Sequence, residues 1–323
     1  MDPLLTLPSS PLALHRAADL HRPAAAAARG QLHRVRDGIY ADAEEWAELT
    51  PWRRYLARVH AVAMTRPDAV FCLESASALL GLPVFGDPLT VHTLGGATAT
   101  GRECGGVRVH AGCGDRRLVS AGGRTVTSLA DTAVDLARHR HPAVGVATAD
   151  AALRLDPTLS TDILTAINEQ RGSSRGRRRA RDPLREADAA AESPLESVSR
   201  CVIRWLGFAP PILQKVFRTD GVLDRGDFWW PESSVLGEAD GDLKYDGSLG
   251  DPLRALRQRR DRDIRLSRHV RTVAHWAWTE ATTFAPLRAI LLGHGIPLVA
   301  GEDTASLLTL RRALARADAP SPS

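Results

Sequence analysis

Lysine is nearly missing from this chain: of its 42 basic residues only Lys215 and Lys244 are lysine, and all the others are arginine. With so much alanine, that bias points to a GC-rich coding sequence, in which a lysine is rarely a casual surface choice. No run of eighteen or more apolar residues occurs, which excludes a membrane-spanning helix. The first residues, MDPLLTLPSSPLALHRAADLHR, lack a basic segment followed by an unbroken apolar stretch, so no secretory signal is expected and cytoplasm is the default location. Cysteine is scarce. Cys72, Cys104, Cys113 and Cys201 form no C-x-x-C pair and have no zinc-spaced histidines nearby, which fits reduced thiols. Residues 49–170 contain no glycine-rich phosphate loop, no G-x-S-x-G and no Gly-Ser with paired aspartates. Their histidines, His92, His110, His139 and His141, are not spaced as metal ligands.

What is present describes a globular chain. Its 323 residues exceed what one hydrophobic core usually serves, so two or three domains are expected. Hydrophobic residues make up 44% and charged residues 25%, inside the ordinary soluble range. A net charge of +4 and a pI near 9.1 permit nucleic-acid binding without requiring it.

Along residues 1–48 the pattern predicts helices over Leu12 to Leu20 and Pro23 to Ala28, with Gly30 ending the second. Asp37-Gly38, flanked by Leu32, Val35, Ile39 and Tyr40, then predicts a hairpin. Two helices and an arginine-bearing hairpin outline a winged helix-turn-helix. In that reading Arg29, His33, Arg34 and Arg36 face a phosphate backbone; otherwise the segment is a small cap with a solvated basic hairpin. Residues 49–170 read as a mixed α/β unit. Its helices are Trp52 to Met64, Glu74 to Leu80 and one opened by Thr127-Ser128; its strands are Thr90 to Leu94, Val107 to His110 and Arg124 to Val126. Residues 171–192, rich in Gly, Ser and Arg, read as an extended basic linker.

From residue 193 the pattern becomes regular. Ser193, Pro194 and Glu196 occupy the N-cap, N1 and N3 positions of a helix carrying Val198, Val202, Ile203 and Leu206. Strands follow at Ile212 to Phe217, Val222 to Trp229 and Ser234 to Asp240. A helix near Pro252 to Ser267 bears Arg254, Arg257, Arg259 and Arg260, on a face either solvated or phosphate-contacting. A strand, Val270 to Trp276, and a helix, Thr279 to His294, complete the order αβββαβ(α) over residues 193–298; residues 299–323 form a terminal helix and tail. Asp227 lies inside an otherwise apolar strand, just before its aromatic run, and Glu238 and Asp240 share one face of the next, opposite to Val235 and Ala239. Carboxylates converging at adjacent strand ends repel unless a cation lies between them, and an all-oxygen donor set suits Mg²⁺ or Mn²⁺. Glu196 has a plainer role as the N3 partner of Ser193, and Asp240-Gly241 as a turn.

Two resemblances attach to these segments. RGQLHRVRDGIYA, ESASALLGLP and VTSLADTAVDLAR make residues 1–170 similar to the AbiEi-type antitoxin of type IV toxin–antitoxin systems. That resemblance implies a winged-helix DNA-binding module, a mixed α/β domain, and a cognate toxin as a candidate partner. Asp227-Phe228, Glu238, Asp240-Gly241 and Lys244, with Glu196 and Gln214 upstream, resemble the PD-(D/E)XK restriction-endonuclease-like superfamily, in the branch related to very-short-patch repair endonucleases. The resemblance implies a nuclease with Glu196, Asp227, Glu238, Asp240 and Lys244 as catalytic positions and Asp227 and Glu238 as metal ligands. Because Asp240 stands where the superfamily's lysine usually does, it also implies either that Lys244 acts from a shifted position or that Asp240 takes a metal-linked role. The expectation is a multidomain α/β, metal-dependent DNA endonuclease acting on nucleic acid and independent of membranes. The other reading is a non-catalytic DNA-binding regulator or antitoxin that keeps the nuclease fold as a scaffold.

Overall fold

The computed structural model describes residues 7–96, 101–112, 115–240, 260–262 and 264–318. The structure is mixed α/β, and the described strands form a three-stranded, a six-stranded and a four-stranded sheet. No helix among the described residues is long and apolar enough to cross a membrane.

The first sheet has the order β1-β3-β2, from β1 (His15–Arg16), β2 (Leu32–Arg36) and β3 (Ile39–Asp42). The Asp37-Gly38 hairpin forms as expected, with Gly38 at φ 77, a conformation glycine adopts without cost. Helix α1 (Pro23–Ala28) ends before Gly30 at φ 75. The helix expected over residues 12–20 does not form. His15 and Arg16 instead pair with Tyr40 and Ile39, followed by a single 3₁₀ turn. Tertiary anchoring overrides local propensity here: Leu12 is buried with Ala41, Trp46 and Ala57, and the Arg16 guanidinium donates to the Met64 carbonyl at 2.7 Å. Asp42 caps α2 (Ala43–Glu48) by accepting from the Glu44 and Glu45 amides, and α3 (Pro51–Thr65) follows.

The six-stranded sheet contains β4 (Val70–Phe71), β5 (Val91–Leu94), β6 (Arg102–Cys104), β7 (Val107–His110), β8 (Leu118–Ala121) and β9 (Arg124–Thr127), in the order β6-β7-β5-β4-β9-β8. Pairs β5/β7 and β4/β9 are parallel and the remainder antiparallel. Helix α3, α4 (Leu73–Leu80) and α5 (Leu129–His139) supply Tyr55, Val59, Leu79 and Ala133 to the core against Val126. Helices α6 (Pro142–Leu155) and α7 (Thr161–Gln170) pack beside them.

Residues 171–192 are not an extended spacer. They contain α8 (Arg177–Arg185), whose Ala180 and Leu184 are fully buried in the same core as Leu164. Some of the arginines are held while Arg175, Arg178, Arg179 and Arg185 are exposed: Arg171 is buried on Asp131 at 2.5 Å, and Arg181 pairs with Glu169 at 2.9 Å. Carboxylates and carbonyls hold Arg171, Arg177 and Arg181, and the buried Ala180 and Leu184 anchor the segment against the like charges that remain exposed.

The four-stranded sheet has the order β10-β11-β12-β13, built from β10 (Ile212–Thr219), β11 (Val222–Trp230), β12 (Val235–Ala239) and β13 (Thr272–Trp276). The first three strands form an antiparallel meander and β13 runs parallel to β12; residues 260–262 and 264–266 between them are helical. Ser193 caps α9 (Pro194–Trp205), and this helix buries Val198, Val202 and Ile203 against Phe228, Trp230, Val235 and Trp276. Both indole N–H groups are satisfied, Trp230 on the Ala209 carbonyl and Trp276 on Ser199 Oγ. The long helix expected over 279–294 is two, α10 (Trp278–Thr283) and α11 (Ala285–Gly293). Pro286 lacks the N–H that a continuous helix would donate to Thr282, and Phe284 turns at φ 68. Leu307 and Leu310 of α12 (Thr304–Asp318) join the α9 core, so the terminal helix is part of this unit rather than an appendage.

Candidate functional site

The pleat of the C-terminal sheet is interrupted at one cross-strand position. Phe217 and Leu213, four residues apart on β10, should share a face. Instead Phe217 packs with Leu236, Leu266 and Val270, while Leu213 packs with the α9 core. On β11 a Cβ added to Gly226 would strike Leu236, yet Phe228 two residues on lies in the α9 core. Both strands therefore change face at the opposed pair Gln214 and Asp227, which the register of β10 with β11 sets across from each other. Gln214 accommodates the change with φ 53, a left-handed conformation costing about 1 kcal/mol for a side-chain-bearing residue.

The interruption places the Asp227 carboxylate where a ladder bond would otherwise lie. Asp227 Oδ2 accepts from the Ala239 amide at 2.9 Å, and β11 pairs with β12 only from Phe228↔Gly237 onward. Continuing that register by one residue sets Asp227 opposite Glu238, where facing side chains stand about 5 Å apart at Cβ. Glu196, on the first turn of α9, accepts at Oε2 from the Glu192 amide (2.9 Å) and from Gln214 Nε2 (2.8 Å). The same Gln214 amide reaches Asp227 Oδ1 at 3.3 Å, so one side chain bridges two acids. The cap is present as well, with the Glu196 amide donating to Ser193 Oγ. Glu196 is thus the N3 residue of the cap, and its carboxylate also joins Gln214 to the Glu192 amide.

Glu238 and Glu196 are only 4% and 5% exposed. Burial, then repulsion from Asp227, pushes the Glu238 carboxyl up to about 8. Burial, then Glu196, pushes Asp227 up to about 6. The shift survives a cation already in place: Arg262 donates to both Glu238 oxygens, at 2.8 and 3.0 Å, and to the Arg225 carbonyl. Near neutral pH the pair therefore retains a proton that ordinary carboxylates have lost. Such a pair can bind a further cation in exchange for the proton, or pass that proton to a ligand.

Asp240 lies just past β12. Its amide donates to the Trp276 carbonyl, and its Oδ2 lies 3.0 Å from His275 Nδ1. As expected, Val235 and Ala239 face the α9 core while Glu238 does not. Lys244, Arg254, Arg257 and Arg259 lie outside the described residues, as does Cys113. Arg262 and His275 were not anticipated. Arg262 had a signal, since Arg262 and Arg265 are three apart on one helical face, and Arg265 pairs with Asp224 at 2.6 Å. His275 had none: it is the parallel register partner of Glu238, and long-range pairing is not written locally. Among the described residues, no group of three or more His, Cys, Asp and Glu is arranged to hold a metal ion.

The N-terminal basic hairpin is more engaged than its sequence suggests. His33 stacks on Trp46 with ring centroids 4.2 Å apart, Arg34 pairs with Asp37, and Arg29 contacts Gln31 at 3.2 Å. Arg36 has buried Nε and Nη1 atoms without acceptors. Arg29 and Arg34 are exposed.

The chain is thus a mixed α/β protein with a carboxylate pair, Glu238 buried and Asp227 half-buried, at a pleat interruption. No family model and no solved structure matches it. Two uncharacterized proteins of Mycobacterium tuberculosis do, MT2308 of strain CDC 1551 / Oshkosh and Rv2248 of strain ATCC 25618 / H37Rv. Each is 36% identical over 211 residues, covering 65% of this chain and 73% of the relative. The chain belongs to the family of these two mycobacterial proteins.

Proposed function

We propose that this protein is a metal-dependent nucleic-acid hydrolase, a DNA endonuclease of restriction-endonuclease-like fold, whose winged-helix N-terminal segment supplies DNA affinity. The observation that carries the reading is the pair of a half-buried Asp227 and a buried Glu238, mutually repelling and held above ordinary carboxylate pKa values. Its donors are all oxygen, which fits Mg²⁺ or Mn²⁺, and a divalent cation relieves a repulsion that one guanidinium leaves in place. Asp227 and Glu238 would hold it. When bound, such an ion polarises a phosphate oxygen and acidifies a coordinated water.

The remaining work falls to this chain's side chains. Gln214 holds the Glu196 and Asp227 carboxylates in one orientation, and Glu196 would orient a second metal ion or its water. Arg262 would have to leave Glu238 or slide along it, and in doing so it can neutralise charge on a phosphate. The superfamily resemblance gives Lys244 the same electrostatic role. Plasmid and single-stranded DNA incubated with Mg²⁺, Mn²⁺ or EDTA test the reading. Metal-dependent cleavage lost in Glu238→Gln is the expected result.

The Arg262–Glu238 contact also favours a second reading. A guanidinium lying on the central acid is how a decayed site would satisfy it, and the protein would then be a DNA-binding regulator or antitoxin. Wild-type protein that cleaves no substrate, and whose melting ignores divalent ions, decides for that reading.

A further inference from the structure

A cleft of about 980 Å³ opens between the β6–β7 edge of the six-stranded sheet, the C-terminal end of α5 and residues 171–175. We propose that it binds a phosphorylated, hydroxyl-bearing small molecule of the nucleotide class, its phosphates held by arginine and a hydroxyl by His110. The cleft is at the upper end of the size range of small-molecule sites, about 300–1,000 Å³.

The charge of the walls argues for an anion. Seven arginines line the cleft against three carboxylates. Four of the arginines are neutralised where they stand: Arg140 on Glu74, Arg116 on Asp135, Arg171 on Asp131 and Arg108 on Glu103. With Glu74 and Asp131 behind the wall counted, positive charge is still in excess. Arg138, 4% exposed, carries no carboxylate; its guanidinium is tied to the Asn168, Ser173 and Arg175 carbonyls. Those carbonyls orient it without cancelling its charge. Arg171 leaves a buried Nε–H without an acceptor. At the mouth, Arg102 and Arg175 are exposed, and neither side chain has a hydrogen bond or ion pair among the described residues. Buried cations with a spare donor, ringed by two free ones, match phosphate oxygens.

The second half of the inference rests on a row of acid and histidines. Glu74 Oε2 lies 3.6 Å from His92 Nε2, and His92 Nδ1 lies 3.0 Å from His110 Nε2. Glu74 favours the proton on His92 Nε2, leaving Nδ1 to accept from His110 Nε2–H. His110 lines the cleft, and its Nδ1 then remains an acceptor, the partner a sugar hydroxyl requires.

Calorimetric titration of the full chain with ADP and with inorganic pyrophosphate tests this. Both should bind saturably. The Arg102→Gln/Arg175→Gln double variant, which breaks no side-chain hydrogen bond or ion pair among the described residues, should melt as wild type and bind both at least tenfold more weakly. His110→Ala should weaken ADP severalfold and leave pyrophosphate unchanged. Absence of saturable binding at millimolar concentration, or wild-type affinity in the double variant, overturns the proposal. So does a double variant that loses affinity for DNA alone, since the cleft would then belong to a nucleic-acid surface.

Discussion

Replacing Glu238 by glutamine keeps the size of the side chain and an acceptor for Arg262 while removing the charge opposed to Asp227. Each pH unit by which folding displaces a pKa is worth about 1.36 kcal/mol. Moving this carboxyl from 4.5 to about 8 therefore disfavours its ionised native form, by at most roughly 5 kcal/mol. Between those two values the native state keeps the proton that the unfolded chain has released. Stability thus falls as pH rises through the window, and the whole penalty is present above about pH 8. Asp227 has the same sign between 3.8 and about 6, but the two groups are coupled and their penalties do not add. Buried neutral histidines act in the opposite sense. His60, His92 and His141, each lowered chiefly by burial to about 4, lose stability as pH falls from 6.5 toward 4. The informative quantity is therefore the difference between wild type and Glu238→Gln, read from urea unfolding in EDTA at several pH values. The variant should be nearly equal to wild type at about pH 4.5 and more stable by about 2–4 kcal/mol at about pH 8.5. Mg²⁺ should raise the stability of wild type at the upper pH and leave the variant unchanged. A difference independent of pH, or a variant less stable at high pH, refutes the reasoning, because the Arg262 ion pair would then outweigh burial and repulsion.

Glu196→Ala leaves the Gln214 amide and the Glu192 N–H without their acceptor; a loss of about 1–3 kcal/mol in urea unfolding is expected, with Glu196→Gln much milder. Asp150 is fully buried beneath Arg200, at 2.8 Å, so Asp150→Ala should cost about 3–5 kcal/mol by stranding the guanidinium, which thermal melting would register. Arg29→Ala/Arg34→Ala in the full chain should weaken DNA binding at low salt and reduce the slope of log affinity against log salt by about one for each phosphate that is no longer neutralised. An unchanged slope in a fluorescence titration removes the hairpin from the interface.

Much of the frame could be read from the chain because the signals were local. Ser193-Pro194 with Glu196 fixed the start of α9, Asp37-Gly38 fixed the hairpin, and carboxylates in apolar strands drew attention to Asp227 and Glu238. What escaped depends on partners distant in sequence. The left-handed Gln214 follows from how two strands share a kink, and nothing in its own neighbours announces it. His275 meets Glu238 only through a parallel register spanning more than thirty residues. Helix α8 was masked by composition: RRRARDPLR shows one small and one large apolar residue, Ala180 and Leu184, four apart and therefore on one face. Arginine density was read as solvation, whereas here Arg138, Arg171 and Arg200 reach into carbonyls and carboxylates.

Helix α8 and its surroundings also bear on how such a chain can be inherited. A front half passed between effectors as a cassette needs a seam that can be cut without loss. Here the seam is interior: Arg154 of α6 holds the Ala191 carbonyl, Arg200 of α9 reaches back to both Asp150 and the Glu186 carbonyl, and His141 lies 3.1 Å from Thr309 Oγ1 on the last helix. A recombination event between residues 171 and 192 would sever these ties and open the core around Ala180 and Leu184. Exchanging either side of that seam would therefore require compensating changes at Arg154, Arg200 and His141 or at the groups that they hold.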